Sequence, residues 1–221
     1  MKKLSSPIDL IKKSIDIYSK KKNFVLLAEL YIPLVFFSIL SIAENYLPGS
    51  IRSSGSIWLT GGMWFIQAVY LLVTVFVTAA VIIAFGQVIK GDKFSVKETF
   101  ASAWKKYWIF LLLNIVLALA YLLGFVLLIV PGVLFVVWFA FSRFIMIEKG
   151  TGIKESFLES KELVKGNYWR IFGRLVVFGV FAVVCEVILS IIPYGVGSVI
   201  NVVLGGLFIL PSYLLFKELS A

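Results

Sequence analysis

Long apolar stretches and short charged stretches alternate along this chain. The apolar runs fall at about residues 24–43, 62–86, 108–130, 131–147, 171–192 and 194–216. Each is 17 to 25 residues long, the length that a helix needs to cross the ~30 Å hydrocarbon core of a bilayer. Because apolar and polar residues do not alternate within the runs, strands are excluded. The pattern predicts an all-α, polytopic membrane protein with six transmembrane helices.

The third and fourth runs are separated by a predicted turn. From Trp108 to Ser142 the chain has 35 residues without a charge, and a single helix of that length would measure ~52 Å. A proline inside such a run breaks the helix. We therefore expect two spans joined by a tight turn at Pro131-Gly132, and a similar division at Ile192–Gly195.

Each odd-numbered span follows a basic, amphipathic stretch that ends in an aromatic residue. These stretches cover residues 7–23, 95–106 and 152–167. They share a short core, written Lys12-Lys13-Ser14-Ile15, Lys97-Glu98-Thr99-Phe100 and Lys154-Glu155-Ser156-Phe157. The chain therefore reads as a single membrane domain, 1–221, of three tandem units at about 7–90, 94–149 and 152–216. A proline also follows the aromatic residue of each unit by 24 or 25 residues, at Pro48, Pro131 and Pro193. Any helical hairpin places a proline about one span after its start, so this spacing alone does not establish the repeat, whereas the shared core favours it.

The basic stretches have the features of helices that lie in the plane of the membrane surface. In the first of them, Ile8, Ile11, Ile15 and Tyr18 fall on one helical face, and the charged residues lie elsewhere. A short basic amphipathic helix of this kind binds with its apolar face toward the acyl chains. We predict three hairpins, each preceded by a cytoplasmic interfacial helix.

Composition and charge agree with this assignment and give the orientation. Hydrophobic residues make up 61% of the chain and charged residues 15%, and the mean hydropathy is +1.01, far from the values of soluble domains. The net charge is +9, and 20 of the 21 basic residues lie on one side of the predicted spans, with Arg52 alone on the other. The positive-inside rule therefore places both termini in the cytoplasm. Since the basic residues occur in blocks between spans, no nucleic acid partner is expected.

The sequence lacks the residues of most catalytic and metal sites. It contains no His and one cysteine, Cys185, which excludes a His general base, a disulfide and a Cys-rich metal site. The carboxylates lie mostly on the basic helices, where they pair with lysines one turn away. We therefore expect no enzymatic activity, no cofactor and no metal.

The third unit and the turn before it resemble a known group of bacterial membrane proteins. The resemblance rests on residues between about 130 and 175, namely Pro131-Gly132, Ile153-Lys154-Glu155-Ser156-Phe157, Ser160, Leu163 and Lys165-Gly166-Asn167-Tyr168-Trp169-Arg170-Ile171-Phe172. This pattern is similar to the YciC-like inner-membrane proteins and to the membrane domain fused to some glycerophosphodiester phosphodiesterases. The resemblance implies a six-span, multi-pass domain of the bacterial plasma membrane. The phosphodiesterase activity of the fused proteins belongs to a separate barrel with catalytic His, so it is not carried over.

Four polar residues within the spans are the candidate intramembrane cluster. Glu29, Asn114 and Arg174 lie five, seven and six residues after the aromatic residue of their units, so they have similar depths of ~8–10 Å. If the odd-numbered spans converge, Glu29 and Arg174 form an ion pair to which Asn114 hydrogen-bonds, and Arg143 enters the same layer. Snorkelling of each side chain to the surface is the alternative.

The predicted function is that of a non-catalytic membrane module that contacts anionic lipid or supports a membrane partner or envelope process. Basic residues at the cytoplasmic surface attract anionic headgroups at ~1 kcal/mol each, although the same charges also serve to fix orientation. The candidate headgroup contacts are Lys12, Lys13, Lys20, Lys21, Lys22, Lys105, Lys106, Lys165 and Arg170. Anionic membrane lipids are the expected partners, together with another membrane protein or a second copy of the chain. A small-solute transporter or channel is the alternative function.

Overall fold

A computed structural model describes residues 4–45, 57–91 and 95–220. All regular structure in these ranges is helical. The helices are α1 Pro7–Ser19, α2 Lys21–Leu30, α3 Ile32–Asn45, α4 Ile57–Lys90, α5 Val96–Leu127, α6 Ile129–Trp138, α7 Ser142–Lys149, α8 Ile153–Val164, α9 Tyr168–Ser190, α10 Val196–Val203 and α11 Gly205–Ser220, with a 3-10 turn at Pro193–Gly195.

Five stretches of helix, two of them made of consecutive helices, are long and apolar enough to cross a membrane. They are Trp64–Lys90, Val96–Leu127, Ile129–Lys149, Tyr168–Ser190 and Val196–Ser220. A sixth span forms if the bent pair Asn23–Leu30 and Ile32–Leu40 is counted as one, with an angle of 55° between its halves. These helices confirm the prediction of an all-α, polytopic membrane protein.

The bend in the first span has its cause in the sequence. Pro33, the second residue of α3, has no backbone N–H and cannot bond to the carbonyl of Glu29 one turn earlier, and its ring crowds that carbonyl. The helix accordingly stops at Leu30, and Tyr31 closes its last turn through a bond from its N–H to the carbonyl of Ala28, at 3.0 Å. The predicted span of residues 24–43 thus lies along a bent pair of helices, with the bend just before Pro33.

The turn between the third and fourth spans lies earlier than predicted. Leu128 is extended, with φ −173° and ψ 157°, and α6 begins at Ile129. Pro131 therefore lies in the first turn of α6, where a missing N–H costs nothing. The two glycines permit the close approach of the hairpin helices, because a Cβ at Gly132 would lie 2.5 Å from Cδ1 of Phe125, and one at Gly124 would lie 2.9 Å from the Cα of Gly132.

Two of the three basic stretches form helices of their own, and the second does not. The helices α1 and α8 end at breaks around Lys20 and at Gly166, where φ is +81°. In contrast, α5 runs from Val96 to Leu127 as one helix of 32 residues. It has no Gly or Pro before Gly124, so nothing separates its basic first turns from its apolar remainder. The prediction of a separate interfacial helix is corrected for this unit.

Buried side chains concentrate where α4, α7 and α11 meet. Five aromatic rings lie there within 5.5–6.2 Å of a neighbour, centroid to centroid, and they are Phe85, Phe141, Phe144, Tyr213 and Phe216. At the opposite end, the side chains from Leu127 to Val130 are 68–74% exposed. Exposed aliphatic groups of this size belong in hydrocarbon, so this turn contacts lipid.

The three units bury the same position of their shared core. Ser14, Thr99 and Ser156 are all completely buried. Ser14 and Ser156 donate to the carbonyls four residues earlier, at 2.7 and 2.8 Å, and Thr99 donates to Oε1 of Gln87 at 3.1 Å. The division into three units stays a prediction, but the equivalent position is buried in all three of them.

Candidate functional site

The fourth span is interrupted between α6 and α7, and a serine from α8 closes the interruption. Residues Phe139–Phe141 form a turn, which frees backbone groups on both sides. The hydroxyl of Ser160 donates to the carbonyl of Trp138 at 2.7 Å and accepts from the N–H of Phe141 at 3.2 Å. Because Ser160 is completely buried, no water competes for these groups. The serine thus fastens a basic surface helix to the inside of a span.

The sixth span shows the same arrangement with a tyrosine from α1. Between α10 and α11, the N–H of Leu207 bonds to Leu204 O at 2.8 Å, and the carbonyl of Val203 accepts from the Tyr18 hydroxyl at 2.5 Å. Burial raises the pKa of Tyr18 above its ordinary value, so the phenol remains a donor at physiological pH. Two interrupted spans are therefore each completed by a hydroxyl from an amphipathic helix.

Arg174 holds the segment that precedes α1. Its guanidinium donates from Nε and one terminal nitrogen to Ser5 O, at 3.0 and 2.8 Å, and from the same terminal nitrogen to Leu4 O at 3.1 Å. These carbonyls precede the first helix and have no partner within it. The Glu218 carboxylate binds the same segment through the N–H and hydroxyl of Ser5, at 3.1 and 2.5 Å. The N-terminal segment is thus clamped between α9 and α11.

The predicted intramembrane cluster is not assembled. Among the described side chains, the three ion pairs are Lys149–Glu159, Lys165–Glu162 and Lys217–Glu148, so Glu29 and Arg174 do not pair. Glu29 and Arg143 are exposed, and Asn114 donates to Phe110 O on its own helix at 2.7 Å. Equal depth along each helix did not bring these side chains together, because Arg174 finds unpaired carbonyls closer to it than any carboxylate.

Most of the candidate headgroup contacts are exposed. Exposed basic residues are found at Lys12, Lys13, Lys20, Lys105, Lys165 and Arg170. Lys165 forms an exposed pair with Glu162 at 3.5 Å, and the half-buried Lys106 donates to the carbonyl of Ile147 at 2.5 Å. The side chains of Lys21 and Lys22 lie outside the described part of the structure.

The first helix buries one part of its apolar surface against protein and leaves another part exposed. Leu10, Ser14 and Tyr18 are buried, whereas Ile8 and Ile15 are exposed. This corrects the prediction that Ile8, Ile11, Ile15 and Tyr18 act as one face, because the apolar arc is wider than the predicted face and its Tyr18 side packs against protein.

Exposed tryptophans accompany the basic residues at two helices. Trp104 and Trp108 are 61% and 68% exposed and flank Lys105, and Trp169 is 77% exposed and precedes Arg170. Tryptophan is enriched at the level of the headgroups, where its ring is apolar and its N–H is wet. Each of these tryptophans is thus adjacent in sequence to an exposed cation.

A basic pocket lies between the adjacent ends of α4, α5 and α7. It has a volume of about 390 Å³. Its polar lining consists of Gln87, Lys90, Ser102, Lys105, Lys106 and Glu148. Ile82, Ile83 and Ile147 form the apolar part of its wall. The pocket therefore combines three ammonium groups with an aliphatic surface.

The single carboxylate of this pocket is already engaged. Glu148 accepts from the Tyr213 hydroxyl through one oxygen and from Lys217 through the other. Since Lys217 compensates its charge, the three lysines of the pocket have no carboxylate partner among the residues that the structure describes. The pocket is thus electropositive.

A second, larger pocket between α6 and the start of α9 is mainly aromatic and aliphatic. Its volume is about 590 Å³, and its lining includes Trp138, Tyr168, Trp169 and Phe172 beside Lys165.

Residues 4–45, 57–91 and 95–220 contain no group of three or more His, Cys, Asp or Glu that could hold a metal ion. Comparison with protein-family models, curated proteins and solved structures finds no match to this chain.

Sequence reasoning missed the partners that complete these sites. Lys90, Gln87 and Glu148 were not singled out for the basic pocket, nor was Glu218 for the clamp. Ser160 was noted only as part of the resemblance. The available signal was a serine on the uncharged face of α8, which Ser160 shares with Ser156 and Val164.

Proposed function

We propose that this protein is a non-catalytic module of the bacterial plasma membrane that contacts anionic lipid from the cytoplasmic side. The observation that carries the proposal is the pairing of exposed tryptophan with exposed cation at Trp104–Lys105 and Trp169–Arg170. Such pairs are suited to the headgroup layer, where the ring contacts the glycerol region and the cation contacts phosphate.

The first helix supports the same proposal. Its exposed Ile8 and Ile15 are available to the acyl chains, and Lys12, Lys13 and Lys20 are exposed. In the described residues these three lysines make no ion pair. At ~1 kcal/mol per lysine near an anionic surface, the helix contributes a substantial attraction to anionic headgroups.

Native mass spectrometry of the detergent-purified protein tests the proposal. We expect the protein to retain phosphatidylglycerol in preference to phosphatidylcholine, and neutralising Lys12, Lys13 and Lys20 to Gln should reduce that retention. The control is Lys149→Gln, which removes one positive charge, against three in the triple variant, from an ammonium group that already contacts Glu159, so the loss of retention is compared per charge removed. Equal retention of the two lipids, or no difference between the triple variant and the control, would contradict the proposal.

The orientation has its own test, with single cysteines in a background that lacks Cys185. A cysteine at Ser54 should react with a membrane-impermeant maleimide in intact cells, and a cysteine at Lys161 should react only after the cells are opened. Lys161 is exposed, so its accessibility depends on the side of the membrane. Labelling of the Lys161→Cys variant in intact cells would reverse the proposed orientation.

A small-solute transporter is the second candidate, and the interrupted spans favour it. Three of the helical spans bend or break, at Tyr31, at Phe139–Phe141 and at Leu204, and discontinuous helices often form the binding sites of transporters. At two of these interruptions, however, the freed groups are occupied by Ser160 and Tyr18 rather than presented to a solute. Ion or amino-acid flux into proteoliposomes above the protein-free background would favour this candidate.

Membership of the YciC-like group is likewise a proposal. It is supported by the placement of the resembling residues, since Pro131-Gly132 lies in the first turn of α6, directly after the hairpin turn at Leu128, and Ser160 fastens α8 to the interruption between α6 and α7. A membrane-protein partner or a second copy of the chain is proposed as an additional ligand of the exposed apolar helices.

A further inference from the structure

We infer that the basic pocket between α4, α5 and α7 is a specific binding site for a phosphate group. This inference rests on the proposed function, because it assigns to one pocket an affinity that the proposal gives to the surface as a whole. The class of ligand is an anionic phospholipid headgroup or a soluble phosphate ester.

The donors of the pocket match the needs of a phosphate. Lys90 approaches from the last turn of α4, and Lys105 and Lys106 approach from α5. Lys106 gives one of its three N–H groups to Ile147 O, which fixes the position of its ammonium group and leaves two donors. Three ammonium groups around one cavity suit a phosphate, which has three or more acceptor oxygens and at least one negative charge.

Neutral donors complete the set. Gln87 uses its Oε1 to accept from Thr99 at 3.1 Å, which leaves the two N–H groups of its amide for the pocket. Ser102 lies one turn before Lys106 on the same helix and lines the same cavity, where its hydroxyl is a further donor.

Glu148 does not prevent anion binding. Its oxygens are held by Tyr213 and Lys217 on α11, so its charge is compensated before a ligand enters. These contacts also fix α7 relative to α11, and therefore fix Ile147 and the carbonyl that orients Lys106. The electropositive side of the pocket is thus set in place by the protein core.

The aliphatic wall indicates an amphiphile rather than a small anion. Ile82, Ile83 and Ile147 face the cavity, and no free phosphate gains from contact with them. The volume of about 390 Å³ is within the ~300–1,000 Å³ range of small-ligand sites. The exposed Trp104 and Trp108 flank the pocket lysines along α5, which places the cavity at the level where headgroups lie. These features favour the phospholipid over the soluble ester.

The test measures binding of three probes to the full-length protein in nonionic detergent by native mass spectrometry. The probes are short-chain phosphatidylglycerol, glycerol 3-phosphate and inorganic phosphate. We expect one tightly held phosphatidylglycerol, weakened about 25-fold in the Lys90→Gln, Lys105→Gln double variant, from about 5-fold for each lysine. Binding of the soluble probes with the same sensitivity supports the phosphate site and identifies the soluble ester as a ligand.

Two further variants separate the pocket from general surface attraction. Ser102→Phe fills the cavity without changing the charge, and it should also abolish the single tight complex. Lys12→Gln, Lys13→Gln removes two surface charges on α1 and should leave that complex intact while lowering the total anionic lipid retained. The inference is overturned if Ser102→Phe and the Lys90, Lys105 variant bind as the unmodified protein does, or if no probe binds tightly. Unchanged total retention of anionic lipid in Lys12→Gln, Lys13→Gln, with the tight complex preserved, would contradict only the proposed function.

Thermal unfolding checks that the pocket variants change ligand binding and not the stability of the fold. The side chain of Lys90 makes no hydrogen bond within the described part of the chain, and Ser102 is exposed. Neither substitution should therefore shift the melting temperature of lipid-free protein. In saturating phosphatidylglycerol, the unmodified protein should gain stability through ligand binding, and the pocket variants should not.

Discussion

Replacing Ser160 with alanine removes the one side chain that completes the interrupted fourth span. In Ser160→Ala, the carbonyl of Trp138 and the N–H of Phe141 lose their partner at a site that is completely buried. A buried polar group left without a hydrogen bond costs about 1–3 kcal/mol. With two such groups, we expect the free energy of unfolding to fall by about 2–5 kcal/mol.

Ser156 provides a matched control on the same helix. It is equally buried, but its hydroxyl donates to Gly152 O, which also accepts the N–H of Ser156 at 2.9 Å. Its other contact, Thr151, is only half-buried and is able to turn to water. Ser156→Ala therefore leaves no buried group without a partner, and it should cost less than about 1 kcal/mol.

Thermal unfolding in detergent, followed by tryptophan fluorescence, compares the two variants. A loss of 1 kcal/mol lowers the melting temperature of a chain of this size by about 2–4 °C, so Ser160→Ala should melt roughly 4–20 °C lower and Ser156→Ala at most about 4 °C lower. Hydrogen exchange gives an independent readout, because the amide of Phe141 should lose protection only in Ser160→Ala. Equal melting temperatures with unchanged exchange at Phe141 would refute the assignment of Ser160 as the residue that closes this span.

Three other substitutions test contacts of the same kind. Tyr18→Phe keeps the ring but leaves Val203 O without its donor. We expect the free energy of unfolding to fall by about 1–3 kcal/mol in the same melting assay. An unchanged melting temperature would show that the bond contributes nothing. Arg174→Gln removes the charged donors that hold Leu4 and Ser5. It should lower the free energy of unfolding by about 2 kcal/mol and speed proteolysis of the segment before α1. Unchanged resistance of this segment to proteolysis would contradict the clamp. Gly132→Ala places a methyl group 2.5 Å from the Phe125 ring and should cost about 1–3 kcal/mol; its control, Gly173→Ala, meets no atom within 4 Å and should be neutral or stabilising.

Hydropathy predicted the spans because membrane insertion depends on local composition and length. Each predicted run coincides with a helix or bent pair of the structure, and the errors are at the breaks. Pro33 breaks the first span through the carbonyl four residues earlier, which is a local effect that the sequence contains. The third span ends at Leu128 rather than at Pro131, because a proline is accommodated in the first turn of the next helix.

Polar pairing was not predictable in the same way. Arg174 binds Leu4 O across a separation of 170 residues, and no depth count along single helices identifies such a partner. The prediction of a Glu29–Arg174 pair assumed that opposite charge determines the choice, whereas the unpaired carbonyls of Leu4 and Ser5 satisfy the guanidinium through charge-assisted hydrogen bonds. Likewise, Lys105 and Lys106 were singled out from their block of charge, but Lys90 and Glu148 join them only because α4, α5 and α7 pack together.

The hydroxyls that complete the interrupted spans also order the steps of biosynthesis. Ser160 follows Trp138 by 22 residues and Tyr18 precedes Val203 by 185. At a translation rate of 5–20 residues per second, Ser160 is therefore synthesised roughly 1–4 s after Trp138. Val203, whose carbonyl Tyr18 binds, is synthesised roughly 10–40 s after Tyr18. During that interval the hydroxyl of Tyr18 has no Val203 carbonyl to bind, so the contact that completes the sixth span forms only after residues 19–203 have been made.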